Sequence, residues 1–505
     1  MQKMSEEVTV THSDTDVLTH CTFSINNKCY DVKLTDVELK WHIAGSTEQK
    51  GLQTVRITDV LSVSLKKTVG SSNDDLCVNY VRQEKKLILK SCCVAFKHDD
   101  SQIISNLHQQ ISGLIRKIEQ RPQKLLVLIN PVSGRSKGQS TYEQKVAPIF
   151  KEAGIETDVI VTEKAHHAEE ILSTYDIKSI SGLVLVSGDG LYHEAVNGLM
   201  RRLATEQNVN VDDPDVTVPT IDITVGLIPC GTGNGIAYNY YGNYDVKTAA
   251  LAIAIGYSSP ANLMSVHSDD KLVAYSSLLV GYGVWSDLIH TTESRRSQGR
   301  MRYPIAILEQ MFIKTLRRMQ LTVQYKSNQD LNIATESRDT DDVLDGVKLT
   351  DNSSTEVADD SNASNRSSKS TTIKENTIGA ILFMLTPVND STMTTKPDLS
   401  KAVMYLNKSA QRTKYISFMF RLMTLNLAVL EARDDISVLP GQQWKVKLDE
   451  PSQPDTQDYE VEHFMNIDGE AFTIPKPEYQ AKLLTGKLNL YSNMPYATKR
   501  FMKKI

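Results

Sequence analysis

From residue 17 onward, short stretches of the chain alternate between apolar and polar positions and are separated by turn residues. A period of two is typical of β-strands that bury one face. Ser101–Ile118 instead spaces its apolar residues three and four positions apart, which predicts a helix after the strands. Residues 17–118 are therefore predicted to form a separate β-rich module with strands at Cys21–Ile25, Thr54–Val60, Cys77–Val81, Lys86–Leu89 and Cys92–Phe96.

Residues 122–260 follow another pattern, in which apolar runs alternate with stretches of helical spacing. Apolar runs of strand length are typical of strands buried on both faces. The alternation predicts a parallel, doubly wound sheet covered by helices. Its strands are predicted at Leu125–Ile129, Thr157–Thr162, Leu183–Val186 and Thr224–Ile228, and its helices at Thr141–Ala153, Lys164–Thr174, Glu194–Leu203 and Val246–Gly256.

Residues 261–500 return to β-type alternation, which predicts an antiparallel second domain. Residues 327–376 interrupt it with a stretch that is rich in Ser, Thr, Asn and Asp and free of aromatic residues. Such a stretch has too little apolar surface to order itself, so it is predicted to be a disordered insertion. The second domain's predicted strands include Leu272–Val280, Met319–Gln324, Ile378–Leu385, Ala402–Leu406 and Gln443–Leu448.

Composition narrows the class of protein without naming a function. The 505 residues carry a formal net charge of -5, which gives no sign of a nucleic-acid binder. Met1–Asp14 lacks the pattern of a signal peptide, and no apolar run approaches the roughly 20 residues that span a bilayer. The 6 cysteines form no CxxC pair. We therefore expect a cytoplasmic protein with reduced thiols.

Three glycine-containing loops each follow the carboxyl end of a predicted strand. They are Asn130–Gly134, Ser187–Gly190 and Pro229–Gly235. Ligands of open α/β sheets bind at this edge, where glycines allow close approach and helix N-termini favour phosphate. A single loop of this kind is common in any doubly wound protein, but three at one edge predict a phosphate site. The loops do not match the Walker A pattern or the dinucleotide-binding spacing, which argues against an oxidoreductase.

Asp189 lies between two glycines at this edge. Phosphoryl transfer needs a group that orients and deprotonates the attacking hydroxyl, and a carboxylate here suits a base or a ligand of Mg²⁺. The alternative is an ordinary helix N-cap. Glu194, in the next turn, either supports a nucleotide site or is an exposed helix residue.

Residues 187–200, SGDGLYHEAVNGLM, resemble the signature of sphingosine kinases, within the diacylglycerol-kinase-type lipid kinases. The loops at Asn130 and Gly231 fit the same family, as does Thr162-Glu163. The resemblance covers about residues 122–303 and resumes near Asp468-Gly469-Glu470. It implies a nucleotide domain like those of phosphofructokinase and NAD kinase, a C-terminal β-sandwich, and an active site for ATP and Mg²⁺ in the cleft between them.

By this resemblance Asp189 is the general base. The arginines of the family's next motif contact ATP phosphates, and Arg296 and Arg302 occupy those positions, although an Arg-rich stretch read alone is usually a solvated surface. The remaining residues of the predicted nucleotide site are Asn130, Pro131, Gly134, Thr162, Ser187, Gly188, Gly190, Glu194, Gly231, Thr232, Gly233, Asn234, Asp468, Gly469 and Glu470.

The predicted acceptor wall departs from the sphingosine kinase pattern. Those kinases carry Asp-x-Asp before the arginine motif, and the second Asp is expected to hold the sphingosine ammonium. Here Asp287 is present, but Ile289 stands at the second position and cannot pair with a cation. Ceramide kinases, whose substrate has an uncharged amide, resemble this stretch better, while the Gly231–Gly235 turn is closer to sphingosine kinases. The sequence favours ceramide over sphingosine.

These observations predict an ATP-dependent sphingolipid kinase that transfers the γ-phosphoryl group of Mg-ATP to a lipid primary hydroxyl. The strands and closing helix of residues 17–118 resemble a pleckstrin-homology domain, so this module is expected to bring the enzyme to membranes as a peripheral protein. The alternatives are a kinase of diacylglycerol or another neutral lipid, and a lipid- or nucleotide-binding scaffold without catalysis. No nucleic-acid partner is expected.

Overall fold

The N-terminal module consists of two antiparallel sheets and one helix. The computed structural model describes residues 17–46, 51–67, 74–133, 137–295, 298, 301–326, 370–384, 402–423, 433–449 and 463–493. The first sheet contains β1 Val17–Ile25, β2 Lys28–Thr35, β3 Glu38–Ile43 and β4 Gln53–Arg56. The second contains β5 Val60–Lys67, β6 Asp74–Gln83 and β7 Leu89–Phe96, and the chain then forms α1 Ser101–Arg116.

Both sheets and α1 enclose one apolar core that includes Phe23, Trp41, Phe96 and Leu107. The helix begins where the carboxylate of Asp100 accepts a hydrogen bond from the N–H of Gln102 at 2.8 Å, an N-cap contact. The predicted strand at Thr54–Val60 is divided by a short 3-10 turn, because the chain passes there from one sheet to the other.

The N-terminal module is packed onto the α/β domain. Leu61, Val81 and Leu89 belong to the core of that domain. The guanidinium of Arg121 is buried and donates to the carbonyl oxygens of Leu61, at 3.1 Å, and Val60. Burial lowers the pKa of Arg121 to about 10.

The α/β domain has four parallel strands in the order β11-β10-β8-β9. Every residue of β10 is buried, as expected for a strand covered by helices on both faces. The strands are β8 Lys124–Ile129, β9 Glu156–Val161, β10 Gly182–Ser187 and β11 Thr224–Pro229. The helices are α2 Gly138–Thr141, which continues through a π turn into α3 Ala147–Glu152, then α4 His167–Thr174, α5 Asp189–Glu206, α6 Gly235–Tyr241 and α7 Val246–Ile255.

The second domain is built from two packed sheets. Leu321, Trp444 and Tyr479 of one sheet share a core with Val280, Leu382 and Met465 of the other. The first sheet contains β12 Ser258–Ser268, β13 Lys271–Ser276, β15 Met319–Lys326, β16 Ser370–Thr377, β20 Gln443–Asp449 and β23 Glu478–Tyr491. The second contains β14 Leu279–Gly283, β17 Gly379–Met384, β18 Ala402–Asn407, β19 Ile436–Gly441, β21 His463–Ile467 and β22 Glu470–Ile474.

Strand β23 joins the two domains into one ten-stranded sheet. Near its end it pairs in parallel with β11 of the α/β domain, and nearer its start it pairs antiparallel with β20. Because this long strand belongs to both domains, their sheets are continuous.

The predicted disordered insertion, residues 327–376, extends too far at its C-terminal end. Residues 370–376 lie within β16, which pairs antiparallel with β15 at the edge of the sheet, while residues 327–369 lie outside the described residues. An edge strand with one face towards water needs little apolar surface, so composition alone misassigned it. The β-type reading also did not anticipate three helices of the second domain, α8 Val284–Glu293, α9 Arg302–Phe312 and α10 Arg412–Met423.

Helices long and apolar enough to cross a bilayer do not occur in the described ranges.

Candidate active site

The three predicted loops meet at the carboxyl edge of the parallel sheet. The N–H of Asn130 donates to the carbonyl of Val186 at 3.2 Å, and the N–H of Cys230 donates to the carbonyl of Ser187 at 2.9 Å. The hydroxyls of Ser133 and Ser187 are 2.7 Å apart. The loops after β8, β10 and β11 therefore form one continuous surface, as their positions in the sequence predicted.

The glycines of two loops pack backbone against backbone. A Cβ atom on Gly188 would lie 2.4 Å from the carbonyl oxygen of Gly233, and one on Gly231 would lie 2.2 Å from the Cα of Gly188. No side chain fits at such distances, so both positions require glycine for the loops to touch. The turn is closed by Asn234, whose amide oxygen accepts from the N–H of Gly231 at 3.0 Å.

Asp189 lies at the centre of this loop cluster as the first residue of α5. Its carboxylate does not cap its own helix; it accepts the N–H groups of Gly235 at 2.8 Å and Ile236 at 3.1 Å, at the start of α6. Asp189 thus binds N–H groups at a helix N-terminus, as the N-cap alternative expected, but the helix is α6 and not α5, which begins with Asp189.

The environment of Asp189 raises the pKa of its carboxyl group to about 6. The main cause is burial, which disfavours the charged form, and the negative charge of Asp468 acts in the same direction. The two N–H contacts from α6 partly oppose this shift. A carboxylate with such a pKa is deprotonated at neutral pH and still basic enough to accept a proton.

Asp468 has a different environment. Its two oxygens accept the hydroxyl of Ser276 at 2.6 Å and the N–H groups of Ser277, Leu278 and Leu279 at 2.7, 2.9 and 3.0 Å. The imidazole Nδ1 of His193 lies 3.4 Å from the same carboxylate. Burial alone raises the pKa of Asp468, but His193 and these hydrogen bonds hold it below its usual value.

The neighbours of Asp468 in the predicted Asp-Gly-Glu turn have separate positions. The N–H of Gly469 donates to the side chain of Asn466 at 2.9 Å. The carboxylate of Glu470 reaches the first turn of α5, where its Oε1 atom lies 3.1 Å from the point a Cβ on Gly190 would occupy. Of the two carboxylates in this turn, Glu470 is therefore the one that borders the glycine loop.

Glu194 is neither exposed nor directed at the loops. It is half-buried, and its carboxylate accepts the N–H of Ala168 at 2.7 Å, in the first turn of α4. Thr162 is buried and binds the carbonyl of Ile129, which ties the end of β9 to the end of β8. Both residues support the loop edge through contacts with the backbone.

The arginine motif is described in part. Arg302 donates to the hydroxyl of Tyr303 at 2.8 Å and lies 3.8 Å from the carboxylate of Glu293. Its Nε atom is buried and has no hydrogen-bond partner among the described residues. Arg296 and Gly134 lie outside the described residues. The contact of the two arginines with phosphate stays a prediction.

Helix α8 carries the predicted acceptor wall. Ile289 is buried and Asp287 is exposed. Because residues two apart on a helix are separated by roughly 200° around its axis, the two side chains point to opposite sides. The helix packs against β14 and the β21–β22 hairpin, where the ring of His290 stacks on Phe464 with 4.1 Å between ring centroids.

Comparison with known proteins agrees with this geometry. Residues 124–266 match the family model of the diacylglycerol kinase catalytic domain. This segment is therefore similar to the catalytic domain of that family. It contains all three glycine loops and Asp189, whereas Asp287, Ile289, Arg302 and the Asp-Gly-Glu turn lie beyond it.

The chain is also similar to sphingolipid kinases, which confirms the resemblance read from the loops. It is 35% identical to human ceramide kinase over 232 residues, which are 46% of this chain and 43% of that protein. Identity to mouse ceramide kinase is 36% over 43% of this chain and 41% of that one. Human sphingosine kinase 1 is 32% identical over 38% of this chain and 50% of its own. The chain thus spans half or less of the length of these relatives.

Among solved structures, a diacylglycerol kinase described as putative, from Bacillus anthracis, superposes with a TM-score of 0.48 at 14% identity, over 74% of this chain and 99% of that chain.

Two features of the site had no clear sign in the sequence. One is the turn Ser276–Leu279, which lies against Asp468. The other is the role of Tyr192 and His193, which follow Asp189 in the signature and contact the second domain through Ser277 and Asp468. Their places depend on contacts between residues 85 to 275 positions apart in the chain, and spacing along the sequence does not reveal such contacts.

Proposed function

We propose that the protein is an ATP-dependent sphingolipid kinase that transfers the γ-phosphoryl group of Mg-ATP to the primary hydroxyl of a sphingoid lipid, with ceramide favoured over sphingosine. The observation that carries this proposal is the carboxylate of Asp189, held at the junction of three glycine loops with its pKa raised to about 6.

In this proposal Asp189 is the general base. Its carboxylate takes the proton of the lipid hydroxyl as the hydroxyl oxygen forms a bond to the γ-phosphorus, and the bond from that phosphorus to the bridging oxygen breaks to release ADP. The positions of the base and the phosphates are fixed by the backbone contacts of the loops, and positioning supplies much of the catalysis in phosphoryl transfer.

The proposed ATP site is the surface formed by the three loops. Asn130, Ser187 and Gly231 border it, Glu470 approaches it from the second domain, and Arg302 is proposed to reach the phosphates. In the part of the chain that the structure describes, no group of three His, Cys, Asp or Glu side chains could hold a metal ion. Mg²⁺ is proposed to enter with ATP as part of the substrate, where it neutralises phosphate charge.

The preference for ceramide depends on Ile289. This side chain is buried on α8 and cannot serve as the counter-ion of a desolvated ammonium group, while an amide carries no charge to compensate. The identities of 35% and 36% to two ceramide kinases support the same acceptor.

The N-terminal module is proposed to be pleckstrin-homology-like and to bring the enzyme to the membrane surface where its acceptor resides. Two antiparallel sheets closed by α1 support this assignment. The proposed location is the cytoplasm, with peripheral attachment to membranes.

The test presents ceramide, sphingosine and diacylglycerol in parallel mixed micelles with radiolabelled ATP. Phosphorylated ceramide as the main product is expected, and Ile289→Asp should raise the use of sphingosine relative to ceramide. Product from diacylglycerol alone would identify a neutral-lipid kinase. A melting shift with Mg-ATP but no product from any lipid would indicate a binding scaffold.

A further inference from the structure

The turn Ser276–Leu279, between β13 and β14, lies between the buried carboxylate of Asp468 and the half-buried carboxylate of Asp189. On one side all four of its residues bind Asp468 through a hydroxyl and three N–H groups. On the other side the hydroxyl of Ser277 donates to Tyr192 at 3.1 Å, in the first turn of α5. The turn thus connects the second domain to the helix that begins with Asp189.

Leu278, within this turn, reaches the position where Asp189 binds α6. A Cβ atom built on Gly235 would lie 3.2 Å from the Cδ1 atom of Leu278 and 3.6 Å from the Oδ2 atom of Asp189. The isobutyl group and the carboxylate therefore meet at the same glycine. Leu278 is half-buried and packs against the core of the α/β domain.

Asp468 fixes this arrangement. A carboxylate that already accepts three N–H groups and a hydroxyl has little capacity left for a ligand. The backbone of Asp468 adopts a left-handed conformation, with φ of +54°, which is uncommon for residues other than glycine. His193, from α5, holds the same carboxylate from the side of the α/β domain.

We propose that Asp468 and Leu278 are positioning residues for the general base: Asp468 fixes the turn Ser276–Leu279, and Leu278 from that turn shields the carboxylate of Asp189 from water. This inference rests on the proposed function, and it assigns Asp468 a role different from the nucleotide contact that the family resemblance implied.

The ionisable groups near Asp189 are acidic or phenolic. Among the residues that the structure describes, they are Asp468, whose charge raises the pKa of Asp189, and Glu470 above Gly190. Tyr192 and Tyr244 also lie near, and their pKa values are raised mainly by burial and further by the charge of Asp189. His193 contacts Asp468. With burial as the main cause of the raised pKa, admitting water beside Asp189 should lower it.

The decisive variant is Leu278→Ala, with Leu448→Ala as a matched control. Leu448 is also half-buried, but it packs in the core of the second domain. For each protein, kcat/KM for ceramide in mixed micelles is measured against pH. We expect the acid limb of the Leu278→Ala profile to move down by roughly half to one pH unit, with the KM for ATP unchanged within about two-fold, and the Leu448→Ala limb to stay in place.

Asp468→Asn separates the two roles of Asp468. A positioning role predicts that the acid limb of the pH profile moves to lower pH and that kcat falls, with the KM for ATP unchanged. A nucleotide contact predicts a raised KM for ATP. If Leu278→Ala melts too low to assay, Leu278→Asn keeps the side-chain size but brings a polar group to the carboxylate, and the same shift is expected. An unshifted acid limb in either folded Leu278 variant overturns the inference.

A second readout does not require catalysis. At a pH between the ordinary and the raised pKa of Asp189, the folded protein keeps a proton that the unfolded chain releases, so the melting temperature depends on pH. This dependence should be weaker in Leu278→Ala than in Leu448→Ala. If the wild-type protein yields no product from any lipid, the proposed function fails while this measurement still decides the shielding role of Leu278. Equal dependence in both variants contradicts it.

Discussion

The proton held by Asp189 has a consequence for stability that can be measured without substrate. In the folded protein the pKa of Asp189 is about 6, compared with an ordinary value of 3.8. At a pH between these values the folded protein keeps a proton that the unfolded chain releases. Protonation of Asp189 therefore stabilises the fold at low pH, and this contribution is lost as the pH rises towards about 6.

The magnitude follows from the size of the shift. A shift of roughly two pKa units corresponds to roughly 3 kcal/mol between the acidic and neutral limits. Between about pH 4.5 and about pH 7 the free energy of unfolding falls by about 2 kcal/mol, because part of the stabilisation by the Asp189 proton is already lost at the lower pH. Asp189→Asn lacks this titration, so its stability relative to wild type should improve by that amount over the same interval.

The assay compares urea unfolding of wild-type protein and Asp189→Asn at several pH values, followed by tryptophan fluorescence and by circular dichroism. The contribution of Asp468 has the opposite sign, because its pKa is lowered and its stabilisation is lost on acidification. It stays nearly constant from about pH 4.5 to about pH 7, because this range lies above both its ordinary and its lowered pKa. A stability difference that stays constant from about pH 4.5 to about pH 7 would refute the assignment of a raised pKa to Asp189.

Three further substitutions test other parts of the account. Gly231→Ala should lower both melting temperature and activity because the new Cβ would lie 2.2 Å from the backbone of Gly188. The control Gly113→Ala has nothing within 4 Å of the new Cβ and should stabilise α1 by about 0.5–1 kcal/mol. Equal effects of the two substitutions on the melting temperature would contradict the loop packing. Arg121→Met should destabilise the protein by about 1–3 kcal/mol because it removes the hydrogen bonds from the guanidinium to the carbonyls of Val60 and Leu61. Exposed Arg116→Met is the control, and equal urea midpoints for the two variants would show that the Arg121 contact does not stabilise the packing of the N-terminal module. Glu194→Gln should lower the free energy of unfolding by about 0.5–1 kcal/mol because it weakens the contact with the first turn of α4, and it should leave the KM for ATP unchanged. A raised KM for ATP would indicate that Glu194 contacts the nucleotide.

The parallel sheet and the loop edge were predictable because they depend on local signals. Strands buried on both faces read as apolar runs, and the turns that follow them need glycine. The sequence therefore placed Ser187–Gly190 and Pro229–Gly235 at one edge, and the structure brings them into contact.

The contacts of the acidic residues were not predictable in the same way. Asp189 binds the start of α6, Glu194 binds the start of α4 and Asp468 binds the turn Ser276–Leu279. Each of these contacts joins segments that are far apart in the chain, and a carboxylate looks the same in sequence whether it faces a ligand or a backbone N–H. The edge strand Ser370–Thr377 was missed for a related reason, since its pairing with β15 rather than its composition makes it a strand.

The central claim is that Asp189 deprotonates the lipid hydroxyl, and single-turnover phosphoryl transfer by Asp189→Asn tests it most directly. The protein is mixed with radiolabelled ATP and ceramide micelles, and folding and ATP binding are checked separately by melting curves with and without Mg-ATP. Loss of a general base predicts a rate lower by about 10²–10⁴-fold, with the melting shift by Mg-ATP retained. Transfer at the wild-type rate by the folded variant would contradict the account.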